Sequence, residues 1–285
     1  YWRDWSSDVC SSDLTAGRTT LGGEGLQHQD GSSLVMASMV PNCRAWDPAF
    51  AGELAVILQD GMQRMLTEQQ DEFHYITLMN ENTPMPSLPK GVESDLLHGM
   101  YLFRENVAQS FDTPPGVESS PAVRLLGSGT ILLEVIAAGE ILARDWGISN
   151  QVFSVTSFSE LAREAREAQR DERLALTASN VGGSTTLSRL LPGRAPVVAA
   201  TDHVRAWPQL IAEYLDARLI TLGTDGFGRS DTRQQLRTFF EIDRHQVVIS
   251  ALQALAREGS IDASLVAQAR ERYVPESASL APWLR

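Results

Sequence analysis

Cysteine is nearly missing: Cys10 and Cys43 are the only two among 285 residues. They make no disulfide framework and no metal-ligand spacing, so a reducing cytoplasm is the expected setting. Lysine is scarcer still, with Lys90 alone against 23 arginines. That bias reads as the mark of a GC-rich genome, whose codons favour arginine, and not as a binding device. No apolar run approaches the ~20 residues needed to cross a bilayer. No apolar segment follows Arg3 to make a secretory leader. Positive charge is short overall, since the formal net charge is -12 and the pI is about 4.9. A chain this acidic repels phosphate backbones. Neither a nucleic acid nor a membrane is therefore expected as a partner.

What is present is ordinary globular stock, 43% hydrophobic and 21% charged, with length enough for one large or two ordinary domains. The first fourteen residues are the exception. "DVCSSDL" (Asp8 to Leu14) is what the string GACGTGTGCTCTTCCGATCT encodes in one frame, and that string resembles the end of a common sequencing adapter. Residues 1–14 are thus expected to be a non-native tail, Cys10 to carry no information, and the natural protein to extend upstream of Thr15.

From Thr15 onward, short apolar runs alternate with amphipathic segments, the pattern of an α/β protein with largely parallel strands. In "AGELAVILQDGMQRML", Leu54, Ile57, Leu58, Gly61, Met62, Met65 and Leu66 recur at helical spacing and predict one buried stripe. "FHYITLM" (Phe73 to Met79) follows as a strand. The stretch 104–121 is aperiodic and holds three prolines, so it reads as a linker. Beyond it come strand and helix in "AVRLLGSGT" and "ILLEVIAAGEILARDWG", the helix stopped by Gly147. "QVFSVT" is a strand, and "SFSELAREAREAQRDER" is a helix opened by a Ser157–Glu160 capping box. "PVVAATD" and "ARLITLGT" are further strands around a helix near Trp207 to Leu215. "SDTRQQLRTFF", "HQVVISALQALAREG" and a segment near 262–273 close the chain as helices.

Three glycine-bearing stretches could carry chemistry. "GRTTLGGEGLQHQDG" (Gly17 to Gly31) packs five glycines with Glu24, His28 and Asp30. Glycine allows close backbone approach to a ligand, and an imidazole exchanges protons near neutral pH. Spacing alone equally fits a plain surface loop with a solvated histidine. "GTDGFGRSD" (Gly223 to Asp231) joins a strand to a helix, with Ser230 or Asp231 placed to cap it. Its free amides could hold an anion, or it is simply a structural turn. "LLGSGT" (Leu125 to Thr130) lacks the third glycine of a dinucleotide fingerprint, because Leu132 stands there. "TDH" (Thr201 to His203), "EIDRHQ" (Glu241 to Gln246), His74 and His98 read as capping, solvated or structural groups.

Together, "TAGRTTLGGEGLQHQDG", "PNCRAWDPAFAGELAVILQDGMQRM", "YITLMNEN", "LLGSGTIL", "VFSVTSFSELARE" and "GTDGFGRSD" resemble, in order, segments of the homodimeric bacterial pyruvate dehydrogenase decarboxylases, members of the transketolase-like thiamine-diphosphate enzymes. The resemblance covers essentially Thr15 to the C-terminus. It implies an α/β fold with the C-terminal portion of a pyrimidine-binding domain (15–105), a linker (106–119) and a transketolase-type C-terminal domain (120–285) whose mostly parallel sheet is flanked by helices. It implies His28 as a catalytic proton-transfer group, and Glu24, Gln27 and Asp30 as flanking cofactor-site residues. The implied cofactors are thiamine diphosphate and Mg2+, held mainly by upstream sequence and a partner subunit. The implied partners are pyruvate, a second copy in a homodimer, and the lipoyl domain and core of the dihydrolipoamide acetyltransferase. "GSG" and "TDGFGRS" are then structural or interface elements. The chain departs from the family's pattern at Gln29, Ser32 and Leu34. Two other readings remain: a non-catalytic dimerisation module or degenerate paralogue, and a transketolase-like enzyme on sugar phosphates. The last would want a basic pocket, and in the His28 loop only Arg18 offers that charge.

Overall fold

The apolar runs fold as strands of two sheets, one small and one large. The structure, a computed structural model, describes residues 17–79, 81–108, 122–174, 184–274 and 280–284. The expected adapter tail, Cys10, and most of the expected linker lie outside these residues. In the first part come α1 (Ser33–Ser38), β1 (Cys43–Trp46), α2 (Ala51–Met62), β2 (Phe73–Ile76) and α3 (Glu93–Leu97). β1 and β2 pair in parallel, Cys43 opposite Phe73 and Trp46 opposite Ile76.

The second part holds β3 (Met100–Asn106), β4 (Val123–Gly127), α4 (Leu132–Asp145), β5 (Asn150–Val155), α5 (Phe158–Leu174), α6 (Thr186–Leu190), β6 (Val197–Ala200), α7 (Ala206–Gln209) and β7 (Leu219–Leu222). Helices α8 (Arg233–Phe239), α9 (Arg244–Arg257) and α10 (Ala263–Tyr273) follow. The sheet order is β3-β5-β4-β6-β7. All its pairs are parallel except β3 with β5. β4 and β6 are buried throughout, as strands of a parallel sheet with both faces covered should be.

Successive strand residues point to opposite faces, and the cores divide accordingly. Leu125 and Val198 pack with Leu132, Val135 and Leu142 of α4 and Val248, Leu252 and Leu255 of α9. Leu126, Val197 and Phe153 pack instead with Phe158 and Leu161 of α5, Leu187 of α6 and Trp207. A third, small cluster joins Trp46, Ile57, Leu96 and Tyr101. Helix ends use local polar groups: the Asp243 carboxylate accepts from the His245 and Gln246 amides, both at 3.0 Å. Gly147, after α4, takes a φ of 65°, the left-handed stop its position predicts. No helix among the described residues is long and apolar enough to cross a membrane.

Several details differ from the sequence reading. Residues 100–106, divided there between first domain and linker, form the antiparallel edge strand of the large sheet. Met62 and Leu66, assigned to the buried stripe of α2, are 51% and 62% exposed, and the helix widens into a π-helical turn over Gln63–Thr67. The buried polar group of that helix is Glu53, which accepts from the Ala49 amide at 2.6 Å, the Phe50 amide at 3.0 Å and the Tyr101 hydroxyl at 2.8 Å. The Ser157 hydroxyl accepts from the Glu160 amide at 3.1 Å. The return half of that capping box is replaced, since the Ser157 amide donates to the Gly99 carbonyl at 3.0 Å while the Glu160 carboxylate meets Arg44 and Arg163. Helix α8 is capped by Thr232, not by Ser230 or Asp231.

Candidate functional site

The glycine loop is anchored at its base and open at its tip. Gly17 takes a φ of 90°, and a Cβ there would run into the Asp202 carboxylate. That carboxylate accepts from the Thr19 amide through both oxygens at 3.1 Å. The Arg18 guanidinium donates to the carbonyls of Thr224 and Gly226. The Gln29 side chain brackets Arg229, accepting from its amide at 2.6 Å and donating to its carbonyl. Arg233 Nε donates to the Thr20 carbonyl at 2.7 Å, and the Val204 amide to the Gly31 carbonyl at 2.8 Å. The loops after β6 and β7 therefore form the seat on which the glycine loop rests. "TDGFGRSD" does structural work here, clasping a neighbouring loop through its backbone.

At the tip, Leu26–His28 makes one 3-10 turn with no buried residue. Glu24, Gln27 and His28 are exposed. The His28 amide donates to the Gly25 carbonyl at 3.1 Å, while its imidazole makes no hydrogen bond among the described residues. Asp30 is turned the other way. Its Oδ1 accepts from the amides of Ser32 and Ser33, both at 3.0 Å, which fixes the path from the loop into α1. The structure thus brings Glu24, Gln27 and His28 onto one projecting turn and leaves Asp30 as a shaping residue.

Behind the loop lies a buried polar joint that includes Asp202 and His203 of "TDH", which are therefore not solvated groups. Asp47, just after β1, is buried, and its carboxylate accepts from the hydroxyls of Thr77 and Ser128, each at 2.7 Å. The Ser128 hydroxyl also lies 3.0 Å from Thr201 Oγ1. His203 Nε2 stands 3.8 Å from Asp47 Oδ1, and its Nδ1 is buried with no hydrogen-bond partner among the described residues. Burial alone would raise the Asp47 pKa, but the His203 imidazole and the two hydroxyls outweigh it and hold the carboxyl below its ordinary value. Burial likewise opposes a charged His203, yet Asp47, helped by Asp30 and Asp202, holds its pKa above the ordinary value. Burial pushes the neighbouring Asp202 up to about 6, against the pull of the Thr19 amide. An aspartate near the end of a short strand and a histidine in a "TDH" turn gave no spacing signal. They meet because β1 and β6 end on the same side of the molecule.

"GSG" belongs to the same joint. Gly129 takes a φ of 51°, and a Cβ there would stand 2.6 Å from Asp47 Oδ1. Gly129→Ala combines left-handed strain with displacement of a buried carboxylate, and about 2–4 kcal/mol of stability should be lost. Urea unfolding followed by circular dichroism measures this, and a variant within 0.5 kcal/mol of the parent would refute it, where ~0.5 kcal/mol is the scale of a neutral change.

A cavity of about 210 Å³ lies between Phe50, Leu54, Met79, Glu81 and Thr130. None of Glu24, Gln27, His28 or Asp30 lines it. No group of three or more His, Cys, Asp or Glu side chains able to hold a metal ion occurs among the described residues. The polar side chains available to a ligand at the loop tip are a carboxylate, an amide and an imidazole. That set can orient a substrate and move a proton, whereas it offers no cationic cradle for a diphosphate.

Comparison with known proteins agrees with this arrangement. Residues 8–86 match the family described as the pyruvate dehydrogenase E1 component middle domain. Residues 99–243 match the transketolase-like C-terminal domain, so this match begins at the edge strand β3. The pyruvate dehydrogenase E1 component of Cupriavidus necator is 49% identical over 259 residues, which is 91% of this chain and 28% of that protein. The E1 component of Escherichia coli K12 is 44% identical over 262 residues, with the same coverages of 91% and 28%. The chain thus spans little more than a quarter of the length of these relatives. Among solved structures, transketolase from Leishmania mexicana superposes with a TM-score of 0.57 at 17% identity, over 85% of this chain and 30% of that one. A split-gene transketolase, solved as an inactive β4 tetramer, gives 0.52 at 16% identity, over 85% and 65%. With the sheet order, the anchored glycine loop and these matches in register, the chain belongs to the pyruvate dehydrogenase E1 family, of which it carries middle-domain sequence and the transketolase-like C-terminal domain.

Proposed function

We propose that the protein to which this chain belongs decarboxylates pyruvate and reductively acetylates the lipoyl group of an acyltransferase, and that His28 is its proton-transfer residue in these sequences. The observation that carries the reading is the projection of Glu24, Gln27 and His28 from a loop whose base is tied down by Asp202, Gln29 and the 223–233 segment. A fixed base and an open tip suit side chains that must meet a ligand held by other polypeptide. Thiamine diphosphate, when bound, supplies the electron sink for decarboxylation. The residues of this chain orient the reacting groups and exclude misaligned ones. His28 donates or accepts a proton at an imidazole nitrogen, Glu24 sets the charge beside it, and Gln27 offers an amide donor. Asp30 keeps the turn in place through the Ser32 and Ser33 amides. The diphosphate and Mg2+ fall to upstream sequence and to the partner subunit of a cytoplasmic homodimer.

Two measurements test this. The complete protein, assayed with thiamine diphosphate, Mg2+ and a lipoyl domain, should release carbon dioxide from pyruvate faster than from bulkier 2-oxo acids. Equal rates, or none, would overturn the substrate assignment. The 285-residue chain alone, titrated with thiamine diphosphate in a calorimeter, should give no saturable heat up to about 1 mM, the millimolar edge of specific binding. Saturable binding would show that a diphosphate cradle exists within these residues.

A further inference from the structure

The start of the central strand carries a cation that no described residue neutralises. Arg124, on β4, is only 5% exposed. Its Nη2 donates to the Pro192 carbonyl at 2.6 Å, but Nε and Nη1 are buried without a hydrogen-bond partner among the described residues. Burial pulls its pKa below the ordinary value, and no acidic group among the described residues counters that pull. Uncompensated buried charge is costly, and proteins that bury arginine normally pair it. Arg237, the other buried arginine among the described residues, obeys the rule by meeting Glu81 and Glu134.

Arg124 borders a cleft of about 520 Å³. Leu102 and Phe153 form one wall, while Arg189, Pro192 and Arg194 from α6 and its exit turn form the other. Arg189 is already paired with Asp95 at 2.6 Å. Arg194 is exposed and makes no ion pair or hydrogen bond among the described residues. Two guanidinium groups without an ion pair among the described residues therefore border one concavity, in a chain whose net charge is -12. Guanidinium is the side chain best matched to carboxylate and phosphate oxygens. On turning toward the cleft, the Arg124 head would give up a single hydrogen bond, the one to Pro192. The cleft opens at the amino ends of β4 and β6, opposite the loops after β6 and β7 that seat His28.

We propose that this cleft binds a small oxyanion-bearing metabolite, its phosphate or carboxylate on Arg124 and Arg194 and its carbon body against Leu102, Phe153 and Pro192. This site is separate from the His28 loop and stands whether or not the activity proposed above is correct.

The probes are inorganic phosphate and acetate, titrated into the complete protein at constant ionic strength and followed by calorimetry and thermal unfolding. One anion should bind saturably with one-to-one stoichiometry and raise the melting temperature, as any ligand of the native state does. Whichever of the two binds about tenfold tighter identifies the group. Arg194→Gln, at an exposed position, should weaken that binding by about tenfold. Arg124→Met should abolish it. Arg257→Gln, an exposed arginine on α9 away from the cleft, should leave it unchanged. Absence of saturable binding by the parent protein would overturn the proposal. So would Arg257→Gln weakening binding as much as Arg194→Gln. If Arg124→Met does not fold, the contrast between the two glutamine variants decides the matter alone.

Discussion

His28→Ala, introduced into the complete protein, is expected on the function proposed above to slow acetylation of a lipoyl domain by about 10²–10⁴-fold, the usual worth of a positioned acid–base group. The same change should leave folding almost untouched. His28 is exposed on a 3-10 turn without buried residues, and its ring has no hydrogen bond among the described residues. Surface substitutions of this kind stay within about 0.5 kcal/mol. The separation of the two effects is the diagnostic feature. Lipoyl acetylation followed by mass spectrometry reads the first, and urea unfolding reads the second. Unchanged turnover would remove His28 from the chemistry. A large loss of stability would instead make it a structural residue.

Asp47→Ala should do the reverse, costing about 3–5 kcal/mol at pH 6, as breaking a buried ion pair from one side does. The pH dependence follows from the direction of each shift. Asp47 has a depressed pKa, so its contribution is complete above the ordinary value of 3.8 and fades as pH falls through the lower folded value. His203 has a raised pKa, so its contribution is complete below 6.5 and fades as pH rises through the higher folded value. Asp202 acts with the opposite sign to Asp47. Its folded value of about 6 means that ionisation penalises the fold progressively from 3.8 to 6. Stability should accordingly peak on the acid side of neutrality and decline above pH 6.5. In Asp47→Ala, His203 loses the largest of the groups that favour its proton, and the deficit relative to the parent should shrink above that pH. Unfolding curves at pH 6 and pH 9 decide this. An equal deficit at both values would mean that the two residues do not act as a charged pair.

Much of this architecture was legible in the sequence, for reasons that differ by element. Helices α4, α5 and α9 declare themselves through long amphipathic periods and through stops and caps such as Gly147, Ser157 and Asp243. Strand β6 declares itself through an unbroken apolar run, and β4 through one interrupted only by Arg124. β1 did not, because four residues flanked by Asn42 and Asp47 are too few to show a period. The buried stripe of α2 was half right. Periodicity finds the apolar face of a helix but cannot tell which part of it this chain covers, so Ile57 and Met65 are buried while Met62 and Leu66 stand open. Glu53 and the Asp47–His203 pair escaped notice because a buried ionisable group looks, in sequence, like any surface one. Only the tertiary fold supplies its donors. The glycine loop was recognised by its wording, whereas its division into a fixed base and a free tip depends on Asp202, Arg229 and Arg233, which lie some two hundred residues further along the chain.

That long-range lacing has a practical consequence for protein engineers. The seam at which sequence comparison would cut this protein into modules is not the seam along which it is mechanically joined. A chimera that grafts residues 17–31 from a relative without its own 201–204 and 223–233 segments would import a hinge pin without the matching knuckle. Recombination libraries for this scaffold should inherit those three stretches as one block, however far apart they sit in the gene.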